Sequence, residues 1–505
     1  MARVHAADPS AEIPIPTRIE TGGFAGHPPG LTPLFLTELW ERFSYYGMKA
    51  ILILFMVAPA AAGGLGLETA HAARIYGNYT MSVYLLAIPG GFLADAFLGA
   101  RRAVLVGGIV IALGHYTLAF PALPTFYAGL ALVALGTGLL KPNISALVGS
   151  LYGENDERRD AGFSLFYLGI NAGAFIAPLV TGFLAQSAAF RERIAAWGLD
   201  PTHAWHWGFG AAGVGMTLGL LVYVAQGRRL AHVGGRPAPD PAAWRQTALV
   251  LLGTFGLAAL AVASDLPQLE WLRLLFVAAP LGLAVGFGFS RRAELRRVGA
   301  IAFFFLAAMI FWAVFEPAGS TIQLFGDRLT RTEVFGVPFP SAWYQSINSL
   351  FVIALAPLFA WLWVRLGERQ PSSPVKFALG LAFLGLSFAL MVPAARLTAA
   401  GLVSPLWLVG LFFLQTVGEL CLSPVGLSTM TKLAPPRLVG VAMGAWFLAA
   451  SWGNKLAGVL ASEFSAGDPA ALAAFFGRQA LAVGACTLAA VALVPWVRAR
   501  MGGVR

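Results

Sequence analysis

Charged and aromatic side chains follow one face of the first apolar segment, which reads ELWERFSYYGMK over residues 38–49. At about 100° per residue, its polar side chains fall within a stripe of roughly 100° on one helix face. The stripe comprises Glu38, Glu41, Arg42, Tyr45 and Lys49. An adjacent arginine keeps a carboxylate ionised, whereas burial favours its neutral form, so a small rearrangement could move a proton on or off. The alternative, a structural ion pair between two helices, leaves the rest of the stripe without a purpose.

Ionisable residues also occur deep in three other apolar segments. Glu316 lies in FWAVFEPAGS, and the missing N–H and bulky ring of Pro317 should kink the helix beside this acid. Lys141 lies in GTGLLKPNIS and Glu419 in VGELCLSPVG. Because a charge at membrane depth costs about 3 kcal/mol or more, each such residue is a functional hypothesis. Lys141 and Glu419 are predicted to pair across a central cavity.

Hydrogen-bonding and aromatic residues in further apolar segments could complete that cavity. They are Tyr84, Tyr167, Asn171, Trp312, Asn348, Ser423 and Trp446. Each taken singly is more often a packing residue, but together with the buried charges they favour a binding site. A cavity with cationic and anionic poles suits a zwitterion such as a short peptide. Lys455, in SWGNKLAG, stays ambiguous, because a lysine of this kind can also extend to the membrane interface.

The composition indicates a membrane protein. Of 505 residues, 58% are hydrophobic and 11% charged, where a soluble domain has about 25% charged residues. Lipid offers no partners to open strand edges, so we predict an all-α polytopic membrane protein of about 14 spans. The predicted spans are 32–58, 72–95, 101–121, 124–148, 160–186, 205–226, 244–263, 269–290, 298–326, 340–366, 374–393, 404–432, 438–461 and 470–498.

A basic, Gly/Pro-rich stretch at 226–244 predicts a connection between two halves. The next two spans carry charge only at their ends and are interpreted as an inserted pair. Without them, six spans precede and six follow, as in two bundles around a midplane site. The predicted regions are the tail 1–31, the first bundle 32–227, the linker with the inserted pair 228–297, the second bundle 298–498 and the tail 499–505.

The net charge of +10 reflects topology. Most lysines and arginines outside the spans lie in the tails and in the even-to-odd loops, which predicts a multi-pass protein of the plasma (inner) membrane with both termini cytoplasmic. No basic patch interleaved with aromatic residues indicates a nucleic-acid partner. The sequence contains no phosphate loop, Ser/His/Asp constellation or metal-ligand cluster, so we predict no enzyme, no metal and no cofactor.

These motifs resemble those of the proton-dependent oligopeptide transporters of the major facilitator superfamily. The first span is similar to the family's E-x-x-E-R-F-x-Y-Y-G motif at Glu38, Glu41, Arg42, Phe43, Tyr45, Tyr46 and Gly47. FYLGINAG at 166–173 is similar to F-Y-x-x-I-N-x-G, and GGFLADAFLGARR at 90–102 resembles the superfamily's loop between spans 2 and 3. The resemblance implies the major facilitator fold, two six-helix bundles plus two inserted helices.

The same resemblance implies a secondary active transporter that takes up di- and tripeptides with protons by alternating access. Its partners would be peptides, protons and the lipid bilayer, its driving force the proton gradient, and its state a monomer. The implied pocket residues are Arg42, Tyr45, Lys49, Tyr84, Lys141, Tyr167, Trp312 and Ser423, while Asn171, Asn348 and Glu419 would hold the peptide's amino terminus. The implied proton-coupling residues are Glu38, Glu41, Arg42 and Glu316. The implied gate salt bridges are Lys49 with Glu316 and Lys141 with Glu419.

Three positions depart from the family pattern. Lys49 replaces a common arginine, which keeps the charge but loses the bidentate geometry. Pro317 stands where many relatives have glutamine. Gly77 stands where animal relatives carry a histidine, so a proton route through that histidine is absent. The acids of spans 1 and 7 would then have to carry the protons alone.

Two other functions compete with peptide symport. The first is a related facilitator for nitrate, a drug or a peptide-like metabolite, although such members tend to lose the E-x-x-E-R acids that this chain keeps. The second is a membrane-embedded enzyme or receptor, for which the sequence offers neither a catalytic constellation nor a sizeable soluble domain.

Overall fold

Helices form almost all of the regular structure. The computed structural model describes residues 22–153, 156–237, 241–269, 271, 292–434 and 439–502. The first helices are α1 (Leu31–Val57), α2 (Thr69–Leu85), α3 (Ala87–Leu93), α4 (Ala100–Leu118), α5 (Leu123–Ser150), α6 (Arg159–Gln186), α7 (Ala188–Ala196), α8 (Ala204–Ala225) and α9 (Pro241–Ala263). The later ones are α10 (Arg292–Phe315), α11 (Thr321–Arg328), α12 (Ser346–Leu366), α13 (Ser373–Leu397), α14 (Leu406–Leu433), α15 (Val439–Ala461) and α16 (Pro469–Arg500).

Every predicted span except 269–290 coincides with one of these helices or with two consecutive ones. The span 269–290 falls almost wholly outside the described residues, as does most of the predicted tail 1–31. Ten of the described helical segments are long and apolar enough to cross a membrane. The predicted polytopic all-α architecture is therefore confirmed.

The helices form two groups. In the first group α1 packs against α6 and α8, and α4 packs against α5; in the second, α13 packs against α14 and α16. The groups meet where α2 contacts α15 and where α6 contacts α12. Close helix packing depends on glycine at Gly173, where an added Cβ would overlap the Leu39 carbonyl of α1.

The two ends of the helices differ in charge. The end formed by the arginine-rich connections, such as 226–237, is called the inner end, and the opposite end is called the outer end. The outer end carries an antiparallel hairpin of β1 (Glu333–Val334) and β2 (Val337–Pro338) between α11 and α12.

The seventh span is broken, as Pro317 predicts. The α-helical geometry of α10 stops at Phe315, and residues Glu316–Gly319 form a 3-10 turn before α11 begins at Thr321. Proline cannot donate a backbone hydrogen bond, so the helix has to change its pattern here. The break places Glu316 opposite α1.

Candidate functional site

The charged stripe of α1 is buried inside the protein. Glu38, Glu41 and Arg42 are each at most 4% exposed. Arg42 Nε donates to Glu41 and lies 3.2 Å from Glu38 Oε1, so that one guanidinium serves two carboxylates. Glu38 Oε2, Glu41 Oε1 and Arg42 Nη2 have no hydrogen-bond partner among the described residues. Since buried polar atoms are normally satisfied, the two carboxylate oxygens can take up a proton or accept from water, and Arg42 Nη2 can donate to water or to a ligand group.

An ion pair connects α1 to the break in the seventh span. Lys49 Nζ lies 2.7 Å from Glu316 Oε2, and both side chains are largely buried. The same ammonium lies 5.9 to 6.0 Å from the ring centroids of Tyr45, Tyr46 and Tyr76, within range of cation–π attraction. The pair therefore links the two helical groups inside an aromatic shell, in their outer half.

A cavity opens beside this ion pair. Six of the predicted site residues line it: Lys49, Tyr84, Trp312, Glu316, Asn348 and Glu419. Its wall thus carries charge of both signs. On the side of the second group, Asn348 Nδ2 donates to Thr416 Oγ1 at 2.9 Å and to Glu419 Oε2 at 3.3 Å, which orients the Glu419 carboxylate.

Lys141 lies near the cavity but does not pair with Glu419. Its ammonium is 3.9 Å from the centroid of Tyr84, a residue of the cavity wall. Among the described residues Lys141 takes part in no ion pair. The predicted Lys141–Glu419 contact is absent in this structure because each residue interacts within its own helical group. The groups are held together farther out.

The remaining predicted residues do not line this cavity. Tyr45 is 4% exposed beneath the Arg42 guanidinium, which is 5.3 Å from its ring centroid. Asn171 Nδ2 donates to the carbonyl of Tyr167 on its own helix. Trp446 packs against Phe377, with ring centroids 6.4 Å apart. Ser423 is partly buried on α14.

Ten residues of the cavity wall were not among the predicted site residues, and they include Tyr46 and Gln345. Tyr46 follows Arg42 by four positions, about 40° around the helix, and a wider stripe would have included it. Gln345 ends a 3-10 turn before α12 and donates to the Ala318 carbonyl at 2.6 Å and to Gln323 Oε1 at 2.7 Å. No periodicity marks Gln345, because it lies outside a regular helix.

Comparisons with known proteins agree with this architecture. The sequence profile described as "PTR2: POT family" matches residues 101–501. The peptide transporter YePEPT of Yersinia enterocolitica is 41% identical over 95% of this chain and 97% of its own length. A di-/tripeptide transporter of Lactococcus lactis is 39% identical over 91% of this chain and 94% of its own. A crystal structure of a mutant of a peptide transporter POT in complex with alafosfalin superposes with a TM-score of 0.85 at 41% identity, over 96% of this chain and 98% of that one.

Proposed function

The chain belongs to the POT family, and we propose that it is a secondary active transporter that carries di- and tripeptides together with protons. Its fold is the major facilitator fold of that family. The proposed activity is transport and not an enzymatic reaction. Its proposed driving force is the proton gradient, and no cofactor is proposed.

The observation that carries the proposal is the cavity at the Lys49–Glu316 ion pair. A cationic and two anionic side chains, Lys49, Glu316 and Glu419, share its wall. A peptide has an ammonium and a carboxylate separated by its backbone, and charge-assisted hydrogen bonds recognise both ends. We assign the amino terminus to Glu419 with Asn348 and Asn171, and the carboxylate to the basic residues Arg42, Lys49 and Lys141.

The proposed pocket extends beyond the cavity seen in this structure. Tyr84 and Trp312 already line its wall. Tyr45, Tyr167 and Ser423 would join it when the helical groups move, because each lies on a helix that contributes residues to the cavity wall. Trp446 of α15 is proposed to join it as well. Aromatic walls can accept peptides of varied side chain, since their contacts are largely apolar.

Proton coupling would use the acids of α1 and the seventh span. A proton on Glu316 neutralises the partner of Lys49 and weakens the contact between the groups. Glu38 and Glu41 would exchange protons against the shared Arg42. Peptide and proton together shift the inward/outward equilibrium only by their differential affinity for the two states. In the opposite state, Lys141 and Glu419 would approach each other and close the inner half.

The charge asymmetry of the loops supports insertion in the plasma (inner) membrane with both termini cytoplasmic. The inner end is then the cytoplasmic end. The proposed regions are two bundles at 32–227 and 298–498, joined by a linker at 228–297 that contains the inserted helices. The proposed transporting unit is the monomer, since one chain supplies all the residues named above.

Uptake of labelled dialanine into liposomes that contain the purified protein tests the proposal. An inward proton gradient should cause accumulation that unlabelled di- and tripeptides inhibit and free amino acids do not. A folded, monodisperse sample without gradient-dependent accumulation would contradict the proposal. The competing function, transport of another solute by the same fold, would then be screened by thermal stabilisation with nitrate, drugs and peptide-like metabolites.

A further inference from the structure

A second buried charge cluster lies at the outer end, away from the cavity. Lys455 of α15 is 3% exposed. Its Nζ lies 2.7 Å from Asp265 Oδ1 and donates to Asn78 Oδ1 at 2.7 Å. Asn78 Nδ2 in turn donates to Asp265 Oδ2 at 2.9 Å. The three side chains form a closed triangle, in which the burial of Lys455 excludes the interpretation that it extends to the membrane interface.

The three residues come from three parts of the chain. Asn78 belongs to α2 of the first group, Lys455 to α15 of the second group, and Asp265 to the turn that follows α9 of the inserted pair. The helix α9 packs along α2 and α3. Near its inner end, Trp244 lies on Phe97 with ring centroids 4.3 Å apart. The inserted helix is therefore attached to the first group at both ends.

The triangle lies where the backbones of the two groups come close together. An ideal Cβ on Gly77, next to Asn78, would lie 2.6 Å from Gly458 Cα, three residues after Lys455. One turn farther in, Ser451 Oγ donates to the Met81 carbonyl at 3.0 Å. This contact has to separate whenever the outer half opens.

We propose that Asp265, Lys455 and Asn78 form a second outer lock, and that the inserted helix α9 supplies its anion. This inference rests on the proposed transport cycle. On opening, Asp265 and Asn78 would stay with the first group, and Lys455 would move into water with the second. Without the Asp265 carboxylate, the outer-closed state would keep Lys455 buried without its anion, which is strongly disfavoured. Asp265 thus stabilises the outer-closed state, as Glu316 does through Lys49.

The test is a distance between spin labels at positions 71 and 465, exposed residues at the outer ends of α2 and α15. The labelled cysteines replace His71 and Ser465 in a chain with Cys421→Ala and Cys486→Ala, in lipid nanodiscs. Asp265→Asn keeps the shape but removes the charge, and it should raise the outer-open to outer-closed ratio about tenfold or more. An unchanged distance distribution would overturn the proposal.

Two control variants test whether the change in the 71–465 distance is specific to the Asp265–Lys455 pair. Glu463→Gln removes another outer carboxylate, which pairs with the exposed Arg478 inside the second group, and it should leave the distance unchanged. An equal shift in this control would overturn the proposal. The exchange Asp265→Lys with Lys455→Asp should restore closure, because the Asn78 amide can reverse its donor and acceptor. A swapped pair as open as the single variant would contradict a charge lock.

Should Asp265→Asn not fold, the neutral pair Asp265→Asn with Lys455→Gln replaces it. This pair should still increase outer opening, and wild-type closure would overturn the proposal. The distance measurement needs no substrate, so its result can contradict the outer lock without contradicting peptide transport, and the reverse. Unlabelled wild type that does not accumulate dialanine, with the distance shift present, would refute peptide transport alone.

Discussion

The outer and inner halves of the interface between the two helical groups are built differently. In the outer half, the Lys49–Glu316 pair and the contact of Gly77 with Gly458 cross between the groups, and Lys455 pairs with Asp265 in the turn after α9. Farther in, Lys141 lies on Tyr84 and Glu419 is bonded to Asn348, each within its own group.

This difference describes a transporter closed on its outer side. Buried ion pairs tolerate little displacement, since either partner left alone in an apolar site is costly. They therefore hold the outer half shut. Variants of the outer contacts should abolish this difference, and variants of the inner residues should test what Lys141 and Glu419 bind.

The largest effect is expected from loss of the titratable acids. Glu316→Gln, Glu38→Gln or Glu41→Gln should abolish gradient-driven peptide uptake, because an amide takes up no proton in this range, while counterflow of peptide is at least partly retained. Uptake and counterflow in liposomes measure both. The control is Glu333→Gln on the exposed hairpin. Normal pH-driven uptake by any one variant would remove that residue from the proton pathway.

A bulkier side chain at the glycine contact should prevent outer closure. In Gly458→Val, the new Cβ would lie 2.8 Å from Gly77 Cα, and overpacking of this kind costs about 1–3 kcal/mol. The 71–465 distance should lengthen, and a second label pair at positions 150 and 432, at the inner ends of α5 and α14, should shorten.

The matched control is Gly484→Ala on α16, where an added Cβ meets no atom within 4 Å. It should leave both distances unchanged. A Gly458→Val chain that closes like the wild type would mean that the helices shift to accommodate the side chain, and that the glycine contact does not limit closure.

Removal of the inner lysine should weaken peptide binding. Lys141→Ala is expected to raise the dissociation constant for dialanine about tenfold or more, because a hydrogen bond to a charged group contributes about 1.5–3 kcal/mol. Calorimetry or thermal stabilisation measures the affinity. Lys376→Ala is the control, since that lysine also lies on an aromatic ring, 4.4 Å from Trp363, but outside the cavity. Equal affinities in wild type and Lys141→Ala would exclude Lys141 from the pocket.

The smallest effect is expected from Lys49→Arg, which restores the residue common in the family. Charge is kept, so uptake should stay within about threefold of wild type.

Lys49→Gln, by contrast, should lose the pH-dependent change in distance between α1 and the seventh span. A pH-independent distance in the wild type would indicate a static bridge.

The positions of the spans could be predicted from the sequence, because apolar length and loop charge report directly on the membrane. The break at Glu316–Gly319 followed from Pro317 for an equally local reason. The site was predicted in part: periodicity identified the polar face of α1, and six predicted residues line the cavity, of which only Lys49 lies on that face. Gln345 was not predicted, since it lies in a 3-10 turn and has no helical periodicity. Trp446 packs against Phe377, which is distant in sequence, so the sequence could not predict that contact.

What the sequence by itself determined is which residues are too polar for their surroundings. Glu38, Arg42, Lys141, Glu316 and Lys455 all stand out because an ionisable group in an apolar span is costly. Glu38 and Arg42 pair within α1, one turn apart, but the partner of Lys455 was decided by the tertiary structure alone. Lys455 is 377 residues from Asn78 along the chain, and Asp265 is 187 residues from Asn78. Only the packing of three separate helices brings their charges within hydrogen-bond distance, so no local pattern could have predicted the pair.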